Sequence, residues 1–138
     1  DDSSPLYKKM FDKGLINSNF GTEVFSGDGF FCSIFGGESR NPNEVLSEII
    51  AEIERVKVEG FDEERFEIIK KSYYGSQIRG FNNVESVATL MINSYMSDVI
   101  PFDTVEIIAE ITLEDIHKRL FSQFNTDNYT ISIINPIK

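Results

Sequence analysis

The side chains that could support metal or nucleophilic chemistry are few in this sequence. It contains one histidine, His117, and one cysteine, Cys32, and the two lie far apart along the chain. A zinc site needs several His, Cys or carboxylate ligands at set spacing, and no such spacing occurs. Nucleophilic catalysis needs a base within hydrogen-bond reach of the nucleophile. We therefore assign no catalytic, cofactor-binding or metal-binding residue to this chain.

Each of these two residues also has a simpler interpretation. His117 lies on a predicted helix away from the stripe formed by Ile116 and Leu120, which predicts a solvent-exposed side chain rather than a metal ligand. Cys32 lies in the apolar run 30–35, where a small buried hydrophobic residue is expected. A single cysteine excludes an internal disulfide and favours a reducing compartment, so we expect a cytoplasmic protein.

Two glycine-rich segments do not form a phosphate-binding loop. Residues 27–29 and 36–39 lack the Lys-Ser or Lys-Thr pair that follows the glycines of such a loop, and both are typical of turns. The acidic stretch 62–67 lacks the glycine turn of a calcium loop. These three segments therefore predict structure rather than chemistry.

The composition limits the classes of partner. The chain has 138 residues, a length that fits a single domain, and a formal net charge of −10. Binding to nucleic acid or to an anionic membrane requires clustered cations, so the charge argues against both. No run of about 18 apolar residues is present, which argues against a membrane span.

Local signals define the elements that would position any site. Ser4–Pro5 and Asn41–Pro42 each combine a capping side chain with proline, which is typical of a helix start. Thr112 and Asp115 form a variant of the capping box. Apolar spacing then predicts helices over 5–13, from 41 to 60, from 62 to about 80, from a cap at Asn82 or Asn83, over 103–110 and over 113–124.

Three segments predict β-strands. Residues 18–25 and 30–35 flank the turn cluster 26–29 and predict a β-hairpin, with both faces of the second strand covered. Residues 129–134 predict a final strand. The fold class is therefore α+β, with an antiparallel sheet (hairpin plus C-terminal strand) covered by several helices. Three strands are few for so many helices, so we expect a single partial domain over 1–138 that lacks strands before Asp1.

Motifs along the whole chain resemble the pitrilysin/insulinase-like zinc metallopeptidases. Residues 3–15 resemble that family's helix start, "small residue, Ser, any, Leu, aromatic", which leads to Gly-Leu. The family's Asn/Asp-Pro helix start and its paired lysines are echoed at 37–42 and 64–71. Residues 111–115 resemble the Thr-x-Glu-Asp helix start that precedes the last strand. The resemblance is to the C-terminal half, in the bacterial branch often labelled zinc proteases.

The resemblance implies a half-domain in a peptide-cutting enzyme. In this family, zinc and the catalytic base come from an H-x-x-E-H motif in the N-terminal half, and this chain lacks that motif. Zinc is therefore expected in the parent protein only. The C-terminal half usually supplies an Arg and a Tyr, and here Phe11 and Asn17 stand at or near those positions. A phenyl ring cannot donate a hydrogen bond.

The resemblance thus leaves the function of the parent open between two forms. In one, this chain forms a wall of the peptide-binding chamber of a zinc peptidase, with the N-terminal half and a peptide substrate as partners. In the other, the parent is a catalytically inactive partner or scaffold subunit. A third possibility is an unrelated α+β interaction module. In either family form the chain alone is inactive, and its open apolar surfaces favour self-association.

Overall fold

The computed structural model describes residues 4–100 and 102–136. Over these residues the element order is helix, hairpin, then helices, which confirms the α+β class with an antiparallel sheet. The elements are α1 (Pro5–Asp12), β1 (Gly21–Gly27), β2 (Phe30–Gly36), α2 (Pro42–Glu59), α3 (Glu63–Gly80), α4 (Val84–Met96), α5 (Asp103–Glu110) and α6 (Leu113–Gln123).

The described residues form two compact units. The first unit comprises the described residues up to Val58 together with those from Phe124 onward, and the second comprises Glu59–Gln123. The expectation that 1–138 is one domain stays a prediction.

Helix α1 begins and ends as its sequence predicts. The Ser4 Oγ accepts a hydrogen bond from the Tyr7 N–H at 3.1 Å, and Pro5 occupies the first turn. Gly14 adopts a φ of +66°, a left-handed conformation that glycine enters without steric cost. That turn lets the Leu15 N–H bond to the Met10 carbonyl at 3.0 Å. The chain is thereby folded back beneath the helix.

The core of the first unit joins α1, the segment after it and α2. Met10 is only 1% exposed and lies at its centre. The buried members are Met10, Leu15, Ile16, Val45 and Ile49, with Leu6, Tyr7, Phe20 and Ile53 packed around them. At the edge of this core the Lys9 and Lys13 ammonium groups both pair with the Glu48 carboxylate. Their hydrogen bonds hold the pKa of Glu48 below its ordinary value, with the Lys13 bond the largest cause.

Strands β1 and β2 pair antiparallel around a two-residue turn. Gly21 pairs with Gly36 at one end and Gly27 with Phe30 at the other, so Asp28 and Gly29 form the turn. Gly29 has a φ of +78°, which suits its place in the turn. The first strand begins later than the predicted 18–25, because the Asn17 Oδ1 accepts from the Asn19 N–H and holds residues 17–19 in a local turn.

The predicted strand at 129–134 does not pair in this structure. The described residues form a sheet of two strands only, and 129–134 are not assigned to a strand. Its alternation of apolar and polar residues is real, but a strand also needs a neighbouring backbone edge, which is a non-local requirement. The prediction of a third strand is therefore wrong for the described structure.

The second unit contains helices α3 to α6. The Asp62 side chain caps α3 through the Arg65 N–H, and the Asn83 side chain caps α4 through the Ser86 N–H. Asn83 rather than Asn82 is therefore the cap. Helix α3 packs against α5, and the Lys70 ammonium donates to the Ile111 carbonyl at 2.8 Å. None of the helices among the described residues combines the length and apolarity required to cross a bilayer.

Helices α3 and α4 are more exposed than their apolar spacing predicts. Ile69 and Tyr73 on α3 are exposed, as are Val84, Met91 and Tyr95 on α4. The reason is that helical spacing identifies an apolar stripe but not the surface that covers it. The described residues leave these stripes open.

Candidate functional site

The end of α1 meets the base of the hairpin in a small polar and aromatic network. The Tyr7 ring stacks on the Phe11 ring with centroids 6.0 Å apart, and the Tyr7 hydroxyl donates to the Asn17 carbonyl at 3.4 Å. The Asn17 amide group in turn donates to a Glu38 carboxylate oxygen at 2.7 Å. The helix, the loop after it and the segment after β2 are thereby connected by three side chains.

The network includes Phe11 and Asn17, which stand at or near the positions where the resemblance implies an Arg and a Tyr. Phe11 is about half exposed (48%) and presents an apolar ring. The Asn17 side chain is engaged on both sides, because its amide donates to Glu38 and its Oδ1 accepts from the Asn19 N–H. Neither position offers a cation or a free hydroxyl, so neither can stabilise an oxyanion as an Arg–Tyr pair would.

Both faces of the hairpin carry exposed apolar side chains, and they differ in one ring contact. One face carries Phe35, whose ring meets the Phe124 ring edge-on at a centroid distance of 6.4 Å. We call the opposite side the open face. It is formed by Gly21, Glu23 and Phe25 of β1 and by Phe30, Cys32, Ile34 and Gly36 of β2.

The aromatic end of the open face is exposed. The Phe25 and Phe30 rings lie 5.3 Å apart by centroid, and both side chains are exposed to about half their area. Cys32 is also exposed, and its thiol donates to the Phe25 carbonyl at 3.2 Å. The expectations of a buried Cys32 and a covered second strand are therefore both wrong for the described residues. An apolar run indicates a strand, but whether its second face is buried depends on segments that are distant in the sequence.

A shallow depression of about 280 Å³ lies at the other end of the hairpin. The cross-strand pair Gly21 and Gly36 leaves its floor without side chains, and a Cβ added at either glycine would meet no atom within 4 Å. Asn19, Thr22, Glu23 and Ile34 complete the lining. No hydrogen bond or ion pair engages the Glu23 carboxylate within the described part of the chain. Sequence reasoning missed this depression, although two glycines at facing strand ends were the available signal.

His117 has a structural role in the second unit. Its Nε2 accepts a hydrogen bond from the Phe61 N–H at 3.3 Å, and its ring lies 5.5 Å from the Phe61 ring by centroid. Gly60, with a φ of +81°, allows the close approach, since a Cβ there would come within 3.1 Å of the imidazole. The side chain is half-buried rather than fully exposed as predicted, because the loop before α3 folds over it.

The described residues bring no metal site together. Over 4–100 and 102–136, no group of three His, Cys, Asp or Glu side chains is placed to hold an ion. His117 and Cys32, the two residues considered for chemistry, belong to different units and have the separate local contacts given above. The candidate site considered for function is therefore the open face of the hairpin.

Comparison with known proteins identifies the family. A family model described as the Peptidase M16 inactive domain matches residues 1–73, which is more than half of the chain. The chain belongs to the M16 peptidase family. The resemblance to the C-terminal half of pitrilysin/insulinase-like enzymes is thereby confirmed.

Two relatives support the assignment to M16. The chain is 25% identical over 134 residues to the uncharacterized zinc protease YmfH of Bacillus subtilis (strain 168), covering 97% of this chain and 31% of that protein. A crystal structure of an M16-like peptidase from Alicyclobacillus acidocaldarius matches 86% of this chain and 29% of its own, with a TM-score of 0.77 and 21% identity. The M16 chain described here thus spans about a third of each of these relatives.

Zinc, which the family implies, does not fit the residues that the structure describes. The one imidazole already accepts a backbone hydrogen bond through Nε2, the thiol faces a backbone carbonyl, and no third ligand accompanies either among the described residues. A zinc site requires three protein ligands on one ion.

Proposed function

We propose that this chain is the C-terminal, non-zinc-binding part of a zinc-dependent peptidase and that it forms part of the wall of a peptide-binding chamber. The observation that carries the proposal is the open face, which presents exposed aromatic rings near the turn of the hairpin and a depression beside Gly21 and Gly36 at its other end. Exposed apolar surface rimmed by polar groups is typical of a surface that binds other chains. Family membership supplies the reaction class, peptide hydrolysis.

The proposal includes an N-terminal half of the parent protein as partner. That half would supply the zinc ligands and the catalytic base. The chain described here would contribute surface that excludes water and orients the peptide. Its exposed apolar helices α3 and α4 are further surface that such a partner could cover.

A direct test uses the full-length protein that carries this chain. Bound zinc is measured by elemental analysis, and cleavage is followed with an internally quenched peptide. A peptide bearing a photo-reactive group is then cross-linked, and the modified residues are found by mass spectrometry. Zinc binding, cleavage and cross-links within 21–36 are expected. Cleavage without any cross-link in this chain would contradict its role as a chamber wall.

A second candidate function is that of a catalytically inactive partner or scaffold subunit. The observation that favours it is the pair Phe11 and Asn17, which lacks the donors expected for transition-state stabilisation. Under this alternative, the full-length protein binds no zinc and cuts no peptide alone. Activity would then appear on addition of a separate zinc-binding subunit.

We also propose that the isolated chain self-associates and that the parent protein is cytoplasmic. Self-association is expected from the exposed apolar side chains of the hairpin and of α3 and α4. Light scattering that reports a monomer at concentrations of roughly tens of micromolar would contradict it. Fractionation of cells with an antibody against the chain tests the location.

A further inference from the structure

The depression at the end of the hairpin has room for one long side chain. Its floor is the glycine pair Gly21 and Gly36, and Ile34 forms an apolar wall. A volume of about 280 Å³ is larger than a single lysine or arginine side chain needs. Because the floor is backbone, an aliphatic stem could lie flat against it. The geometry therefore suits an extended, unbranched side chain.

The charge around the depression selects the head group of that side chain. Glu23 lies on its rim, and no ion pair to this carboxylate occurs among the described residues. Between residues 14 and 39 the charged side chains are Glu23, Asp28 and Glu38, and none is a cation. An incoming cation would thus meet a carboxylate without displacing a competitor.

The rest of the open face constrains the residues that flank the cation. In an extended chain, side chains on one face repeat at about 7 Å, which is two residues at 3.3–3.4 Å each. A peptide that lies along the hairpin with its basic side chain over Gly21 and Gly36 therefore places its next same-face side chain over Glu23 and Ile34. The following one, four residues from the basic residue, lies near Phe25 and Cys32. The exposed Phe25 and Phe30 rings favour an apolar side chain there.

We propose that the open face binds an extended peptide through one basic side chain, whose stem lies over Gly21, Gly36 and Ile34 and whose charged end meets Glu23. The peptide carries an apolar residue four positions from the basic one, against Phe25 and Phe30. This inference rests on the proposed function, because it specifies the class of peptide that the chamber wall contacts.

The test compares matched peptides on the same protein. A short fluorescein-labelled peptide of Thr and Ala carries one Lys and, four residues later, one Phe. Its partner carries norleucine, an uncharged residue of similar length, in place of the Lys. Binding to the chain is measured by fluorescence anisotropy. We expect the Lys peptide to bind about three- to fivefold more tightly, which is the upper part of the range for a solvent-exposed ion pair, and the difference to shrink as salt is raised.

Two carboxylate variants separate the local charge from the net charge. Glu23→Gln should abolish the preference for Lys over norleucine. Asp28→Asn removes the same charge from the same hairpin, roughly 17 Å away along the strand, and should retain the preference. An equal loss of preference in both variants would overturn the assignment to Glu23.

A third variant tests whether the peptide side chain occupies the depression. Gly36→Val places a side chain into the depression, and the open space around a Cβ there predicts that the hairpin still folds. Binding of the Lys and norleucine peptides should fall, whereas a peptide with Gly at that position should bind as before. Circular dichroism confirms folding, and Gly21→Val provides a second means of filling the same space.

The outcomes distinguish the two proposals. Binding of the Lys and norleucine peptides with equal affinity would overturn the basic-residue inference and leave the chamber-wall function standing. No cross-linking of peptide to the full-length protein within this chain would overturn the chamber-wall function instead. Preference for Lys that persists in Glu23→Gln would show that the cation meets another group, which also contradicts the inference.

Discussion

The two units differ in how their apolar residues are arranged. In the first unit, five buried residues contact one another in one cluster that joins α1, the chain after it and α2. In the second unit, Ile108 and Leu120 are the hydrophobic residues buried among those described, while long apolar stripes on α3 and α4 are exposed. The comparison suggests that the first unit is stabilised by its own core. The second depends more on local helix signals and on surface that other chains could cover.

The largest expected effect tests the core of the first unit. Met10→Ala should lower the free energy of unfolding by about 3 kcal/mol, because it removes a fully buried side chain from the centre of the cluster. Urea unfolding followed by circular dichroism measures the change. Lys8→Ala, on the exposed side of the same helix, is the control and should have little effect. If Ile108→Ala cost more than Met10→Ala, the contrast between the units would be wrong.

A second prediction tests how the hairpin is joined to that core. At Gly37 a Cβ would lie 2.5 Å from the Phe20 Cα, and φ is +156°. Gly37→Ala should therefore cost about 2 kcal/mol of stability, through a backbone clash that cannot relax by rotating a side chain. The neighbouring Gly36→Ala meets open space and should change stability by less than about 0.5 kcal/mol. Similar thermal midpoints for the two variants would argue against close packing at Gly37.

A smaller loss of stability is expected when a helix cap of the second unit is removed. Asn83→Ala removes the acceptor for the Ser86 N–H, a bond of 2.9 Å, and should cost about 1 kcal/mol. Asn82→Ala is the matched control, since the Asn82 side chain makes no cap bond. Amide hydrogen exchange on α4 measures the difference locally. Equal protection in both variants would show that the cap contributes nothing there.

The smallest expected effect concerns the ion pairs of the first unit. The folded chain lowers the pKa of Glu48 from its ordinary 4.5, chiefly through the Lys13 hydrogen bond and next through that of Lys9. The stabilisation is thus present above the unfolded pKa and is lost as pH falls through the folded pKa. The pKa of Lys13 is raised from 10.5 by the same bond, so its contribution is lost only as pH rises through that raised value.

Glu48→Gln should therefore flatten the acid side of the stability profile. Unfolding midpoints are compared at neutral pH and at about pH 3, where an unperturbed glutamate is protonated. Wild type should lose more stability than the variant over this interval. Glu110→Gln, at the end of α5, is the control and should follow wild type. If the unfolding midpoint of Glu48→Gln fell as steeply as that of wild type, Glu48 would not account for the loss of stability in acid.

Most helices could be predicted because their start signals are local. Ser4, Asp62 and Thr112 lie within four residues of the groups they bond, so the sequence contains both partners of each interaction. Helix α5 matches its predicted bounds of 103–110. The same reasoning correctly placed the hairpin turn, which depends on a few consecutive residues.

The sequence did not predict which surfaces other segments cover or which distant residues come into contact. Cys32 was expected to be buried because its neighbours are apolar, yet the described structure leaves it exposed. The contact between His117 and the Phe61 backbone joins residues 56 positions apart and has no sequence motif. The depression likewise exists only because register places Gly21 opposite Gly36. Each of these features depends on the long-range approach of segments, which local patterns do not encode.

The segment 129–134 has a consequence for the chain before folding is complete. Tyr129, Ile131 and Ile133 alternate with hydroxyl residues, and the six residues contain no charge and no proline. Segments of this kind form cross-β stacks when identical copies meet. Asn135–Pro136 follows at once, and proline cannot extend a β-ladder. We therefore expect Pro136 to end any β-strand that this segment forms in the unfolded chain.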